Sequence, residues 1–99
     1  AMSSEIIKLD YGKAEEMIKT FDQGAQQLQT TLQEMQNLAN MLEGGALLGD
    51  GGSAFCDAIR GKLCPAIQKL DAKFKELSKD VKGAVSDMRQ ADAASKSMF

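Results

Sequence analysis

Apolar residues in the first half of the chain fall at Ile7, Tyr11, Ala14, Ile18, Phe21, Ala25, Leu28, Leu32, Met35, Ala39 and Leu42. The gaps alternate between four and three without a miss. That spacing is an a/d heptad seam, the pattern of helices packed side by side with a left-handed supercoil. Lys, Glu, Gln, Thr and Asn fill the positions between and make a solvated face. Gly12 weakens the start, so the spacing predicts a helix over about 10–43. Thirty-odd residues at ~1.5 Å rise give a rod on the order of 50 Å.

The pattern stops at Glu43. Gly44, Gly45, Gly49, Gly51 and Gly52 crowd the next stretch, which reads as a helix stop and a turn over 44–52. Asp50 or Ser53 is placed to N-cap a second helix. The seam then resumes at Cys56, Ile59, Leu63, Ile67, Leu70, Phe74, Leu77, Val81, Ala84, Met88 and Ala91, with a run of fours around Pro65. A proline inside a helix removes one hydrogen bond and crowds the preceding turn. Because the stripe continues through it, we expect a kink near Gly61–Pro65 and not a break. The second helix is predicted over about 53–92, followed by a small, polar tail over 93–99 that frays.

One short turn between two long helices gives an antiparallel hairpin, a single all-α domain over 1–99. Each stripe is wider than one seam needs. Met17, Leu38, Met41, Phe55, Ala58, Ala66 and Val85 flank the a/d positions and would stay wet in a monomer. Small domains with little core resolve this by association. The expected assembly is a dimer, homo or hetero, in which two hairpins form a four-helix bundle through those flanking residues.

Composition narrows the chemistry. Histidine is absent, which removes the commonest general base and the commonest zinc ligand. The carboxylates sit on polar faces at helix-pair spacing, as in Glu15–Lys19 and Asp71–Lys75, and a two-helix rod encloses no pocket. No enzyme, cofactor or metal site is expected. Cys56 and Cys64 lie eight residues apart, ~12 Å along one helix, too far for a disulfide with each other. They read as small core residues, with a cross-subunit bridge as the alternative. The glycine-rich turn lacks the Gly-Lys-Ser/Thr of a phosphate cradle and comes after no strand.

Net charge is −2, so no strong field favours nucleic acid. Residues 1–49 hold three Lys against seven acids, and residues 50–99 hold nine basic against seven acidic residues, so the halves attract weakly when paired. The lysines between Lys62 and Lys82 are interleaved with Asp71, Glu76 and Asp80 and form a solvated face. No apolar run approaches the ~20 residues of a membrane span, and no charged segment precedes an apolar one as in a secretory signal peptide.

The turn carries one more pattern. In Leu47-Leu48-Gly49-Asp50-Gly51-Gly52-Ser53-Ala54-Phe55 a large apolar residue is followed two places later by Gly and eight places later by Phe. This resembles the WXG-motif family of roughly hundred-residue, early-secreted-antigen-like proteins, whose Trp-Xaa-Gly lies in the turn of a helical hairpin. Leu47 takes the Trp place, Gly49 matches the Gly, and Phe55 matches the Phe that opens the second helix. The resemblance implies a substrate, or a substrate's partner, of a type VII secretion apparatus, made in the cytoplasm and exported folded as a dimer without a cleaved signal. It also implies an export element, Tyr-Xaa-Xaa-Xaa-Asp/Glu, near the C-terminus. Here that element reads Met88-Arg89-Gln90-Ala91-Asp92, with Asp92 matching and Met88 departing from Tyr. Implied partners are another helical hairpin, a secretion ATPase or a secreted toxin. The other reading of the residues is an intracellular adaptor or chaperone hairpin. A needle-like filament subunit is a third, and its usual turn prolines are missing here.

Overall fold

A computed structural model describes residues 10–46 and 49–97, and Ile7, Leu47 and Leu48 lie outside the described residues. It is all-helical, with no strand among the described residues. Helix α1 spans Tyr11–Glu43. After the turn come α2 (Asp50–Ala58), a π-helical turn (Ile59–Leu63) and α3 (Cys64–Ser97), and the chain stays right-handed helical across both junctions. The molecule measures 74 × 27 × 15 Å, a hairpin one helix thick.

The caps explain the boundaries. Asp10 is extended (φ −82°, ψ 104°), and its carboxylate accepts from the Lys13 amide at 3.1 Å. Such a cap stabilises a helix by ~1 kcal/mol. At the other end the Gly45 amide donates to the Leu42 carbonyl and the Ala46 amide to the Met41 carbonyl. That pair of bonds is a Schellman motif, and it needs a left-handed residue, here Gly45 at φ 98°. The N-cap of α2 is neither Asp50 nor Ser53 but Gly49, at φ 94° and ψ −170°, with no side-chain capping bond. Asp50 instead becomes the first helical residue, where its charge complements the helix dipole. The second helix therefore begins earlier than the spacing predicts, and it continues to Ser97, through most of the expected tail.

In α1 the seam lies where the spacing predicts. Ala14, Ala25 and Ala39 are buried, and Tyr11, Ile18, Phe21, Leu28, Leu32, Met35 and Leu42 are half-buried. In the second helix Gly52, Cys56 and Ile59 face α1, and the next inward residue is Cys64, five positions on. The π turn absorbs the extra residue: the Cys64 amide donates to the Ile59 carbonyl. Its wider turn also lies just before Pro65, whose ring would crowd the Gly61 carbonyl of a regular helix. Beyond it the inward positions are Cys64, Ile67, Asp71, Phe74, Ser78, Val81, Val85 and Met88. Leu63, Leu70, Ala84 and Ala91, expected in the seam, are exposed, because the π turn rotates the stripe by one residue. Leu77 stays half-buried beside Ser78.

The core is densest near the turn, where Ala39, Cys56, Ile59 and Cys64 meet Leu32, Met35 and Leu42. Farther along, Phe74 packs on Phe21 with ring centroids 5.9 Å apart. A Cβ at Gly24 would stand 2.6 Å from Phe74 Cε2, so this position must be empty for the ring to fit.

Candidate functional site

The two edges of the hairpin differ in kind. Residues four after the inward positions carry charge and pair across the helices. Arg89 Nη2 lies 3.2 Å from Glu15 Oε1, Lys82 Nζ 3.5 Å from Asp22 Oδ2, and Arg60 Nη2 2.5 Å from Glu43 Oε2. Residues one before the inward positions carry apolar side chains and have little to touch. Met17, Leu38, Phe55, Leu63 and Leu70 are between 37% and 60% exposed, and Met41 next to that edge is 56% exposed. One broad face is thus apolar, and the far edge is closed by ion pairs.

Of the residues expected at an interface, Met17, Leu38, Met41, Ala58 and Ala66 are exposed and Val85 is half-buried in the seam. Leu63 and Leu70 join the face although their spacing assigned them to the seam. What α3 turns inward instead is partly polar. Ser78 is 2% exposed and donates to Asp22 Oδ1 at 2.6 Å. Asp71 pairs through Oδ2 with Lys75 at 3.0 Å, while its buried Oδ1 has no hydrogen-bond partner. The Ser78 hydroxyl, with Lys82 adding to it, holds the Asp22 carboxyl below the usual carboxylate range.

At the turn, Arg60 leaves the π turn to reach α1. Its Nη2 donates to Asn40 Oδ1 at 2.6 Å as well as to Glu43, and this bond to Arg60 lowers the Glu43 pKa. Gly49 shapes the turn and Phe55 projects from α2, 60% exposed. At the open end, the Tyr11 hydroxyl donates to Asp92 Oδ2 at 2.6 Å, and the Arg89 guanidinium lies 5.0 Å from the Tyr11 ring centroid. The bond to Asp92 raises the Tyr11 pKa above its ordinary value. Met88, four residues before Asp92, is half-buried in the seam. Spacing along one helix had no means of finding the Tyr11 contact, which joins residues 81 apart.

Cys56 and Cys64 are both free and buried, and Cys56 Sγ donates to the Ala39 carbonyl at 3.6 Å. Among the described residues no group of three or more His, Cys, Asp or Glu could hold a metal ion, and no helix is long and apolar enough to cross a membrane.

Hairpin, central glycine turn and unpartnered face describe one architecture. The sequence model of WXG100, "Proteins of 100 residues with WXG", matches residues 6–93. The chain belongs to the WXG100 family. No curated protein and no solved structure matches it. WXG100 proteins are small helical proteins, substrates of type VII secretion systems and not enzymes, and they typically pair as helical hairpins.

Proposed function

We propose that this WXG100 protein is a type VII secretion substrate, or the pairing partner of one, and works by helix association without chemistry of its own. The observation that carries the reading is the rotation of α3. A hairpin made to stand alone would bury Leu63 and Leu70; this one buries Ser78 and most of Asp71 and leaves both leucines in water. Burying apolar area is worth ~25 cal/mol per Å², so such a face is stable when covered.

On this reading the chain is made in the cytoplasm and leaves it folded, without a cleaved signal. The face holding Met17, Leu38, Met41, Leu63 and Leu70, with Ala58 and Ala66 beside it, takes a second hairpin. The turn (Leu47, Gly49, Phe55) and the C-terminal element (Met88, Asp92) are its recognition ends. The test is export from the native host. The protein should accumulate in culture supernatant and should stay in the cells when the secretion ATPase is inactivated. Leu47→Ala and Asp92→Ala should reduce export while leaving helicity unchanged. Retention of the wild-type protein in cells with a working apparatus would favour an adaptor that never leaves.

A further inference from the structure

The exposed face of α2–α3 carries two gradients along its length. The residues on the apolar edge run Phe55, Leu63, Leu70, Leu77, Ala84 and Ala91, large near the turn and small near the open end. The charges beside them run Lys62, Lys69 and Lys73, then Glu76, Asp80 and Asp87, basic near the turn and acidic near the open end. Both gradients reverse near the middle of the hairpin. A surface whose size and charge both invert about its own midpoint complements itself when turned end for end.

We infer that this face is covered by a second copy of the chain, antiparallel to the first, with α3 lying on α3 of the other copy. The inference rests on the reading that the protein acts by helix association, and it names the partner. Turned end for end, Leu63 meets Ala84, Leu70 meets Leu77, Lys69 lies opposite Asp80 and Lys73 opposite Glu76. Every pair is centred within residues 73–75. On α1 the same operation sets Met17 against Leu38 and Gly24 against Thr31, both centred between residues 27 and 28. Met17 lies beside Ala84 and Gly24 beside Phe74 in the hairpin, which sets residue 27 of α1 level with residue 74 of α3. One two-fold axis therefore satisfies both helices. The other symmetric stacking, with the axis along the hairpin, places α1 on α3 and carries Phe55 past the end of α1 at Glu43, where nothing covers it. The 74 × 27 Å face exceeds the ~800 Å² per partner of a standard interface.

Light scattering and single-cysteine cross-linking on the full chain test this. The expected mass is twice 10.6 kDa. Leu70→Asp should give a monomer with wild-type helicity. Lys69→Glu should weaken the dimer by ~10-fold, and Lys69→Glu with Asp80→Lys in the same chain should restore it. With Cys56 and Cys64 replaced by Ala, Lys73→Cys, next to the axis, should form a disulfide-linked dimer on mild oxidation, and Ala91→Cys should not. A dimer that Leu70→Asp leaves intact, or cross-linking through Ala91→Cys in preference to Lys73→Cys, overturns the arrangement. A monomer that still binds a different WXG100 hairpin from the same genome overturns self-pairing alone. A monomer that binds no hairpin overturns the association reading as well.

Discussion

Replacing Asp71 by Leu should make this protein more stable, against the ordinary expectation for a substitution in a seam. Asp71 occupies an inward heptad position with its side chain 16% exposed, and its Oδ1 is buried without a partner. An unsatisfied buried acceptor costs ~1–3 kcal/mol. Its one compensation is the i,i+4 pair with Lys75 at 3.0 Å, worth ~0.3–0.5 kcal/mol. A leucine here would remove the orphaned oxygen and bury ~1.5–3 kcal/mol of side chain. It also has the higher helix propensity, by roughly half a kcal/mol. Overpacking against α1 opposes this with ~1–3 kcal/mol. The balance is a gain of ~2 kcal/mol, or a rise of roughly 8–16 °C in Tm at ~4–8 °C per kcal/mol for a domain this small. Thermal and urea unfolding followed by far-UV circular dichroism, at one protein concentration because pairing shifts apparent stability, measure it. Asp71→Asn, isosteric and still polar, should gain much less. An Asp71→Leu protein of unchanged mass that melts below wild type would refute the reasoning.

Other perturbations probe separate parts of the hairpin. Gly24→Ala should destabilise by ~1–3 kcal/mol, because the new methyl would sit 2.6 Å from a Phe74 ring held by Phe21; a gain in denaturant midpoint, as helix propensity alone predicts, would contradict that packing. Tyr11 is the chain's one tyrosine and there is no Trp, so phenolate absorbance reports it cleanly. Its midpoint should lie above 10.0 and fall toward it in Asp92→Asn. Since the folded pKa is the raised one, the contribution to stability is present below pH 10.0 and is lost as pH climbs through the folded value. Deleting Lys62 should shorten the step from Ile59 to Cys64 to that of a regular helix and leave melting at or above wild type, whereas deleting Ala72 should disrupt folding; equal damage from the two deletions would show that the π turn holds no surplus residue.

Helix α1 was legible to the residue because nothing competes with its pattern: one seam, good helix formers, Asp10 at its start and Gly44–Gly45 at its end. The second helix was legible in outline and misread in rotation at Leu63, Leu70, Ala84 and Ala91. Periodicity counts apolar positions without knowing which surface each one faces. The stripe of α3 is shared between its own α1 and the open face, and the π turn shifts which half goes inside. Gly61 and Pro65 marked the irregularity but not its sign: the anticipated kink is an insertion of one residue. Met17, Leu38 and Met41 could be picked out as flanking residues, because in α1 the seam was correct. Val85 was misplaced for the same reason as Leu70, by one residue of rotation. The Tyr11–Asp92 bond has no local signature at all.

The makeup of the seam explains why folding and association belong together in this protein. The residues buried between the helices are mainly Ala14, Ala25, Ala39, Cys56 and Cys64, with Ile59 and Ile67 as the large ones. Small side chains let the helices approach closely but remove little apolar area from water, and a hairpin one helix thick has no second layer to add more. The larger apolar side chains, Phe55, Leu63, Leu70, Leu38, Met41 and Met17, are on the open face. A partner on that face would bury more hydrophobic surface per residue than the hairpin buries by itself. Because binding to the folded form adds RT ln(1 + [L]/Kd) to its stability, the melting temperature should depend on protein concentration if the partner is a second copy, and on the other hairpin's concentration if it is not. The ion pairs on the far edge act before that step: Glu15–Arg89, Asp22–Lys82 and Glu43–Arg60 set the register of the two helices, so the apolar positions of both arrive on one side. Reversing one of those pairs, as in Arg89→Glu, should therefore weaken association more than it weakens helicity, although none of the exposed apolar residues has been touched.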